Sequence, residues 1–480
     1  MISSIPNTEN SNTLIYDLGN SFNLVDLFEE FQDLPYPMLL DSSMEGASSG
    51  RFSYLTADPF LVMSSKGKDI KLKSGSDVIC MTGNPWDVLD ELIKKYHIPR
   101  ISGLPPFQGG ILGYWGYDLV RHLESIPNKA QNDIDVPEMY LGFYDWVLSH
   151  DASSGRSFLL STGLPDTTQI SALNRSSQIL DRISNAKVLG MHNNGTLPSS
   201  QINLESNFTY EEYISAINKI QKYLKAGDSY QVNLSQRLSS KYVGDTWQLY
   251  LSLRETNPAP FSAYLNFPEV KILSCSPEEF ITLNDRSVSI RPIKGTRPAG
   301  SNHRDNRKHE EDLIASEKER AENLMIVDLI RNDLGKVCKI GSVNVPSLFS
   351  IEKHPSVIHL VSTVEGELLE TASPIDLMKA CFPCGSVTGA PKLRSMEIIE
   401  ELEPVRRNIY CGCIGYISLN GDMGTSIAIR TLCVTDENLY MQLGGAIVSD
   451  SDPYEESVSY THLRAHETDS YLVCRRLLEK

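Results

Sequence analysis

The run Arg291-Pro292-Ile293-Lys294-Gly295-Thr296 follows a strand-like stretch, Ser287 to Ile290, and places one lysine beside a glycine. Because Gly295 has no side chain, a ligand can approach the backbone closely there. We interpret Lys294 as pointing into a pocket, where its amine can act as a nucleophile. The alternative is an ordinary surface lysine at a strand end, since charged side chains are seldom buried. The other motifs of the sequence discriminate between a nucleophilic lysine and a surface lysine.

The composition is typical of a folded protein that does not bind polyanions. Of the 480 residues, 41% are hydrophobic, and 44 Lys and Arg stand against 61 Asp and Glu, a net charge of −17. This charge argues against nucleic acid and anionic membranes as partners. No apolar run is long enough to cross a membrane, and residues 1–12 lack the basic and apolar regions of a signal peptide. We therefore expect a cytoplasmic protein.

The nine cysteines are scattered, as expected for reduced thiols in a cytosol. The pairs Cys381/Cys384 and Cys411/Cys413 could be half-sites for zinc. No histidine lies at ligand spacing, and the apolar neighbours suit plain buried thiols. Zinc is therefore the weaker interpretation.

The chain divides into two structured regions and a connection. Residues 13–160 alternate short β-like runs with loops, and their glycine-rich segment, Gly109 to Gly116, lacks the dinucleotide-binding pattern. Residues 161–206 form a connecting segment that ends in a linker rich in Asn, Ser and Gly. Residues 207–457 begin with a helix between Thr209 and Gly227, followed by alternating strands and helices.

A helix from about Ser316 to Leu334 carries the densest cluster of charged side chains. Glu319 and Glu322 are three residues apart and share a face, with Asn323 beside them. The helix also has a broad apolar surface, so part of this charge must be nearly buried. Buried carboxylates need cations, and hard oxygen ligands suit magnesium. A metal site and an ion-pair scaffold are equally compatible with this pattern.

Further candidate residues lie towards the C-terminus. The run Pro383 to Lys392 places glycines and small hydroxyls before a helix, which suits either an anion site or an ordinary capping loop. Arg430, in a strand-like run, could bind a carboxylate bidentately or form a structural ion pair. His359 is as readily a core histidine as a functional one. Gly444-Gly445-Ala446 allows close approach to the backbone.

Several motifs follow one another in a fixed order: Gly227–Gln236, Ser276–Glu278, Pro292–Thr296, Arg320–Asp333, Gly385–Lys392 and Arg430. Together they resemble the chorismate-utilising enzymes, and among them the large subunits of aminodeoxychorismate synthases. The resemblance covers roughly residues 13–457. It implies an α+β fold of the anthranilate synthase component I type, with two large β-sheets packed on each other and helices on their outer faces.

The resemblance also implies a reaction. Chorismate and ammonia would give 4-amino-4-deoxychorismate, for p-aminobenzoate and folate synthesis, through a covalent lysine adduct. Lys294 would be the nucleophile and Glu278 the general acid. The chain has no candidate glutaminase motif, so a separate glutamine amidotransferase subunit would supply the ammonia.

Three sets of binding residues are carried over from the resemblance. The residues that would bind chorismate are Gln231, Thr296, His359, Gly385, Ser386, Thr388, Lys392, Tyr410, Arg430, Gly444 and Gly445. The ligands of a Mg²⁺ ion would be Glu319, Glu322 and Glu456. Some family members also hold a tryptophan, and the matching positions are Ser42, Ser49, Gly50, Arg51, Phe52, Pro260, Phe261 and Ser262.

Two positions discriminate between reactions within the family. Isochorismate and salicylate synthases have a lysine at the position of Gln231, and anthranilate synthases have an alanine at the position of Lys294. The pair found here favours an aminodeoxychorismate synthase. The alternatives are an anthranilate synthase component I, or a catalytically impaired homologue that binds tryptophan or chorismate.

The chain departs from the family pattern at three places. Cys384 and Ala446 stand where glycine is usual. Residues 458–480 resemble translated sequencing-adapter DNA, and we interpret them as a non-native tail. In this tail Ser459 stands where the family has a principal metal ligand, so we expect weakened magnesium binding and impaired activity.

Overall fold

A computed structural model describes residues 3–5, 12–20, 22–44, 50–189, 204–300, 302–353, 357–454 and 456. Within these ranges the chain forms two antiparallel β-sheets, one of thirteen and one of twelve strands. Strands from residues 13–160 and from residues 207–457 occur in both sheets. Residues 13–160 and residues 207–457 therefore share both sheets. Their division into two domains stays a prediction.

The strands of the N-terminal part are short and pair mostly with neighbours in sequence. They are β1 (Ser3–Ile5), β2 (Leu14–Gly19), β3 (Met38–Asp41), β4 (Phe52–Thr56), β5 (Leu61–Lys66), β6 (Asp69–Ser74), β7 (Asp77–Thr82), β8 (Gly110–Trp115), β9 (Met139–Tyr144), β10 (Trp146–Asp151), β11 (Arg156–Ser161) and β12 (Glu205–Ser206).

The strands of the C-terminal part complete both sheets. They are β13 (Gln231–Lys241), β14 (Phe261–Asn266), β15 (Val270–Ser276), β16 (Glu279–Asn284), β17 (Ser287–Ile290), β18 (Ile293–Pro298), β19 (Asn344–Lys353), β20 (Val357–Glu367), β21 (Gly389–Ala390), β22 (Cys413–Ser418), β23 (Met423–Ile427), β24 (Thr431–Thr435) and β25 (Asn438–Ile447).

The strand orders join the two regions at one point in each sheet. The first sheet runs β1-β2-β11-β10-β4-β3-β14-β15-β24-β25-β13-β12, with β21 also on β13. The second runs β18-β20-β17-β16-β23-β22-β8-β9-β5-β6-β7, with β19 also on β20. The regions therefore meet at the β3–β14 and β22–β8 pairings.

The helices have clear terminal signals. Thr209 and Glu212 form a capping box before α4, and Gly227 ends it at a φ of 82°. None of the described helices is long and apolar enough to cross a membrane. The helices are α1 (Leu24–Phe28), α2 (Pro85–Lys95), α3 (Gln169–Leu189), α4 (Tyr210–Ala226), α5 (Thr246–Thr256), α6 (His303–Ala315), α7 (Glu317–Gly335), α8 (Pro374–Cys381) and α9 (Lys392–Leu402).

Hydrophobic clusters lie on both faces of each sheet. Tyr54 and Ile272 of the first sheet pack with Leu112 of the second in a core between the sheets. Residues of α7 and α8 cover the outer face of the second sheet, and those of α1, α3 and α5 cover the first. The predicted α+β architecture of two packed sheets with outer helices is confirmed.

Two local features differ from the sequence interpretation. The connecting segment contains the 21-residue helix α3, whose buried Ile179 and Ile183 pack on the first sheet. Its mixed composition hid this stripe, and the following residues 190–203 lie outside the described ranges. Arg430 was placed within a strand, but β24 begins one residue later, and Arg430 has a φ of 50°.

Candidate active site

A cavity of about 210 Å³ lies beside β13 and β25 of the first sheet and β18 of the second. A short turn at residues 385–387 lies against it. The structure thus brings together side chains from distant parts of the chain. The predicted residues that line the cavity are Glu278, Lys294, Thr296, His359, Ser386, Tyr410, Arg430, Gly444 and Gly445.

Lys294 lies in an irregular part of β18. The register of β18 against β20 shifts between Ile293 and Thr296, and Gly295 has a φ of 90°. A Cβ atom on Gly295 would lie 3.1 Å from Oε2 of Glu319, so α7 approaches the backbone closely. The bulge leaves Lys294 half-buried on the cavity wall, where its Nζ donates a hydrogen bond to the backbone oxygen of Ser386 at 3.1 Å.

Glu278 lies directly before β16 and is 7% exposed. Its backbone oxygen accepts a hydrogen bond from the amide of Ile427 at 3.0 Å, which fixes the residue at the cavity. Burial raises the pKa of the Glu278 carboxyl above its ordinary value, while the charge of Lys294 and hydrogen bonding from Ser386 oppose the rise. This carboxyl is suited to hold a proton and to donate it.

Arg430 is a half-buried cation in a strained backbone conformation, with a φ of 50°. Its guanidinium makes no hydrogen bond or ion pair within the described part of the chain. Burial lowers the pKa of Arg430, and the nearby Glu278 opposes this. A half-buried cation without an acceptor is costly, so the cavity is suited to an anionic ligand.

The remaining lining residues shape the cavity. Thr296 Oγ1 lies 2.9 Å from Nδ1 of the buried His359, which ties β18 to β20. A Cβ atom on Gly444 would lie 2.7 Å from the hydroxyl of Tyr410 and 2.8 Å from the backbone oxygen of Leu234. Glycine is therefore required at 444 by the close approach of β13 and Tyr410.

Four predicted chorismate-binding residues do not line the cavity: Gln231, Gly385, Thr388 and Lys392. Gly385 packs on α7, because a Cβ atom there would overlap the side chain of Leu329. Thr388 Oγ1 donates to the backbone oxygen of Cys384 at 3.0 Å. Lys392 Nζ donates to Asp333 at 2.6 Å and to the backbone oxygen of Cys381 at 2.8 Å. These contacts hold the 383–392 loop in shape.

One cavity residue, Asn233, was not identified from the sequence, and it lies on the same face of β13 as Gln231. Gln231 is fully buried, and neither its amide nitrogen nor its amide oxygen has a partner in the structure. Asn233 lies two residues further on the same face and lines the cavity beside Tyr410. The two-residue period of a strand was the signal that could have identified Asn233.

The three carboxylates predicted as metal ligands have different surroundings. Burial raises the pKa of Glu322, the neighbouring Glu319 and Asp450 add to this, and Lys294 opposes it. Glu319 accepts a hydrogen bond from Arg297 at 3.2 Å, and Glu456 accepts one from Ser451 Oγ at 3.0 Å. Among the described residues, no group of three His, Cys, Asp or Glu side chains could hold a metal ion.

A second cavity, of about 320 Å³, lies between the two sheets. Tyr54 and Tyr416 line its apolar side, and Glu279 and Arg291 also line it. Ser42 lies at its edge, since Oγ is 2.5 Å from a Cβ atom placed on Gly50, and Ser49 lies outside the described residues. The predicted tryptophan-pocket residues that line it are Gly50, Arg51, Phe52, Pro260, Phe261 and Ser262.

The sequence profile of the family described as chorismate binding enzyme matches residues 45–458. The chain belongs to this family. It is similar to aminodeoxychorismate synthase component 1 of Escherichia coli (strain K12), with 43% identity over 89% of this chain and 92% of the relative. It is also similar to anthranilate synthase component 1 of Aquifex aeolicus (strain VF5), with 38% identity over 88% and 86% of the two chains.

Among solved structures, anthranilate synthase component I from Streptococcus pneumoniae TIGR4 has a TM-score of 0.77 and 28% identity, covering 88% of this chain and 92% of that one. The family and the component I type of fold, which the ordered motifs predicted, are thereby confirmed. For this chorismate-binding enzyme, the roles of single residues in the cavity remain proposals.

Proposed function

We propose that this chain is the large subunit of an aminodeoxychorismate synthase, which converts chorismate and ammonia to 4-amino-4-deoxychorismate. The observation that carries the proposal is that Lys294 and Glu278, an amine and a buried carboxyl, line one cavity with Arg430. Relatives named aminodeoxychorismate synthase component 1, at 40–43% identity, support it.

Chorismate carries two carboxylates, and the cavity offers one of them a place beside Arg430. One carboxylate lies against the unpaired guanidinium of Arg430 and the backbone at Gly444 and Gly445. The other would lie towards Glu322, where a bound Mg²⁺ would neutralise its charge. Bound in this way, the ring stands between Lys294 and Glu278.

The first chemical step is an allylic displacement. The nitrogen lone pair of Lys294 forms a C–N bond to the ring as the C–O bond to the ring hydroxyl breaks. Glu278 gives its proton to the departing hydroxyl, which leaves as water. Because burial raises the pKa of Glu278, this proton is present where an exposed glutamate has already lost it.

The second step regenerates the lysine. Ammonia forms a C–N bond at the carbon that lost the hydroxyl, the bond to Lys294 breaks, and the double bonds of the ring return to their positions. The nitrogen of Lys294 leaves with the electron pair of its bond, and the new ammonium group gives one proton back to Glu278. The net change exchanges a hydroxyl for an amino group and releases one water molecule.

Magnesium fits the acidic group at Glu322. Burial raises the pKa of Glu322, Lys294 opposes the rise, and the carboxylates of Glu319 and Asp450 add to it, so a bound cation would favour the ionised form. Glu322 and Glu319 would hold the ion, which would neutralise and orient the second carboxylate of chorismate. The predicted third ligand, Glu456, accepts a hydrogen bond from Ser451 Oγ. The residues after Glu456 lie outside the described ranges.

Two partners are part of the proposal. A glutamine amidotransferase subunit supplies ammonia, as the component 1 names of the relatives suggest. Tryptophan occupies the cavity between the sheets, where aromatic side chains surround a space of about 320 Å³.

The test is an assay with chorismate, an ammonium salt and Mg²⁺, followed by mass spectrometry of products and protein. We expect 4-amino-4-deoxychorismate and, on rapid quenching, a chorismate-derived adduct on Lys294. Lys294→Ala should lose the adduct and at least about a thousandfold in rate. Lys339→Ala, which changes an exposed lysine paired with Glu367, should leave both unchanged.

The alternatives give other results. Fluorescent anthranilate with pyruvate would identify an anthranilate synthase. Binding of chorismate or tryptophan without turnover would indicate an impaired homologue. The same assay on a chain with a family-like helix in place of residues 458–480 tests the effect of the tail, and equal activity would refute that effect.

A further inference from the structure

Asn323 is the most deeply buried polar residue of the carboxylate helix α7. It is 0% exposed and directly follows Glu322. Its side-chain oxygen accepts a hydrogen bond from Ser362 Oγ at 2.6 Å, and its side-chain nitrogen donates to the backbone oxygen of Leu360 at 3.4 Å. Both partners belong to β20, so the amide joins α7 to the second sheet.

Ser362 extends this connection to the segment that carries Lys294. The backbone amide of Ser362 donates to the backbone oxygen of Pro292 at 3.2 Å, and its hydroxyl accepts from the amide of Phe349 at 3.1 Å. Ser362 is also 0% exposed. A continuous buried chain of hydrogen bonds therefore runs from α7 through β20 to a residue two positions before Lys294.

Other contacts between α7 and β18 lie nearer to solvent. Arg297 and Glu319 form an ion pair at 3.2 Å, with side chains 27% and 21% exposed. Partly exposed pairs of this kind contribute little to rigidity, because water competes for both charges. The buried amide of Asn323, with donor and acceptor both matched, is the stronger constraint on where α7 lies.

We propose that Asn323 is a positioning residue that sets the distance between Glu322 and Lys294. The inference rests on the proposed function, because it concerns how two parts of one substrate are held. Without the amide, the Ser362 hydroxyl loses its buried acceptor and α7 is free to shift along β20. The shift would displace the metal-bound carboxylate of chorismate from Lys294, and would leave the Arg430 side of the cavity unchanged.

The test measures the Kd for chorismate with and without Mg²⁺. The difference reports on the Glu322 side of the site, and the metal-free Kd reports on the Arg430 side. The variants are Asn323→Ala, Ser362→Ala, the double variant, and Ser362→Thr, which keeps the hydroxyl. The matched control is Thr56→Val in β4, because buried Thr56 donates to the backbone oxygen of Trp146 at 2.6 Å, outside the active-site cavity. Melting temperatures identify variants that have lost stability alone.

We expect Asn323→Ala to reduce the tightening of chorismate binding by Mg²⁺ about tenfold, with the metal-free Kd unchanged within about twofold. Ser362→Ala should reduce the tightening by Mg²⁺ to the same extent. The double variant should show no larger reduction than the more affected single variant, because both changes break one hydrogen bond. Ser362→Thr should retain the tightening. Thr56→Val should lower the melting temperature and leave both Kd values unchanged.

An equal loss of both affinities, or no change in either, would show that Asn323 is structural only and would overturn the inference. If Mg²⁺ tightens chorismate binding neither in the unmodified chain nor in the chain with a family-like helix in place of residues 458–480, the proposed metal role fails, and the inference fails with it. That result is seen without any change at Asn323 or Ser362, so the two failures are distinguishable.

Discussion

The amine of Lys294 and the backbone oxygen of Ser386 are joined by a hydrogen bond of 3.1 Å between residues 92 positions apart. This contact ties β18 to the turn at residues 385–387, and the side chain of Ser386 opposes the rise in the pKa of Glu278. One serine therefore acts on both the proposed nucleophile and the proposed acid.

The first prediction concerns pH. Glu278 donates a proton only while it is protonated, and burial raises its pKa. The rate should therefore persist where an ordinary glutamate is ionised, and fall as the pH rises through the raised pKa. The measurement is kcat against pH at constant free ammonia. In Glu278→Gln the fall in kcat at high pH should disappear, and kcat should be about 10²- to 10⁴-fold lower. Exposed Glu437→Gln should keep this fall, and a fall that persists in Glu278→Gln would assign it to another group.

The second prediction compares two arginines. Arg430→Met should raise the chorismate Kd by about 30-fold or more, since a charged hydrogen-bonded contact is lost. Its melting temperature should be unchanged or higher, because the guanidinium has no acceptor in the described structure. Arg407→Met is the contrast: it leaves Glu403, 2.7 Å away and 2% exposed, without its partner. This should cost about 3–5 kcal/mol in unfolding free energy. A large stability loss in Arg430→Met would contradict the prediction.

The third prediction separates loop structure from binding at Lys392. Lys392→Met removes the hydrogen bonds to Asp333 and to the backbone oxygen of Cys381. The unfolding free energy should fall by about 1–3 kcal/mol, because buried acceptors lose a donor. The KM for chorismate should stay within about twofold, since changes that do not touch the substrate leave ground-state binding intact. A strong rise in KM with unchanged stability would restore the binding role expected from the sequence.

The fourth prediction tests the cavity between the sheets. Tryptophan at 100 times its Kd should stabilise the chain by about 2.7 kcal/mol in thermal unfolding. Gly50→Ala should destabilise the chain and abolish this shift, because its Cβ atom would lie 2.4 Å from the backbone oxygen of Pro260. Gly67→Ala is the control, since Gly67 also has a positive φ but has open space around it. An equal tryptophan shift in both variants would place the ligand elsewhere.

Local patterns in the sequence predicted local structure well. The strand Ser287–Ile290 and the capping box at Thr209 appear at the residues expected. The carboxylate helix was placed within one residue of its observed ends, Glu317 and Gly335. These features depend on contacts within a few residues, such as a hydroxyl that accepts from the third amide of a helix.

The amphipathic helix α3 was missed, because its buried positions are separated by polar residues and become apparent only against the sheet they cover. Arg430 was assigned to a strand, although its φ of 50° places it outside the ladder. Neither property depends on neighbours in sequence alone. Both follow from the packing of elements that are distant in the chain.

The sequence by itself determined which chemical groups this protein possesses. These are the amine of Lys294 beside Gly295, the carboxyl of Glu278, and the paired carboxylates of Glu319 and Glu322 on one helix. Only the tertiary structure decided which of them meet. Lys294, Glu278, Ser386 and Arg430 line one cavity, whereas Lys392 turns to Asp333. The reason is physical, since a loop side chain takes its direction from the donors, acceptors and charges that packing brings to it, and those partners come from strands and helices far away in sequence.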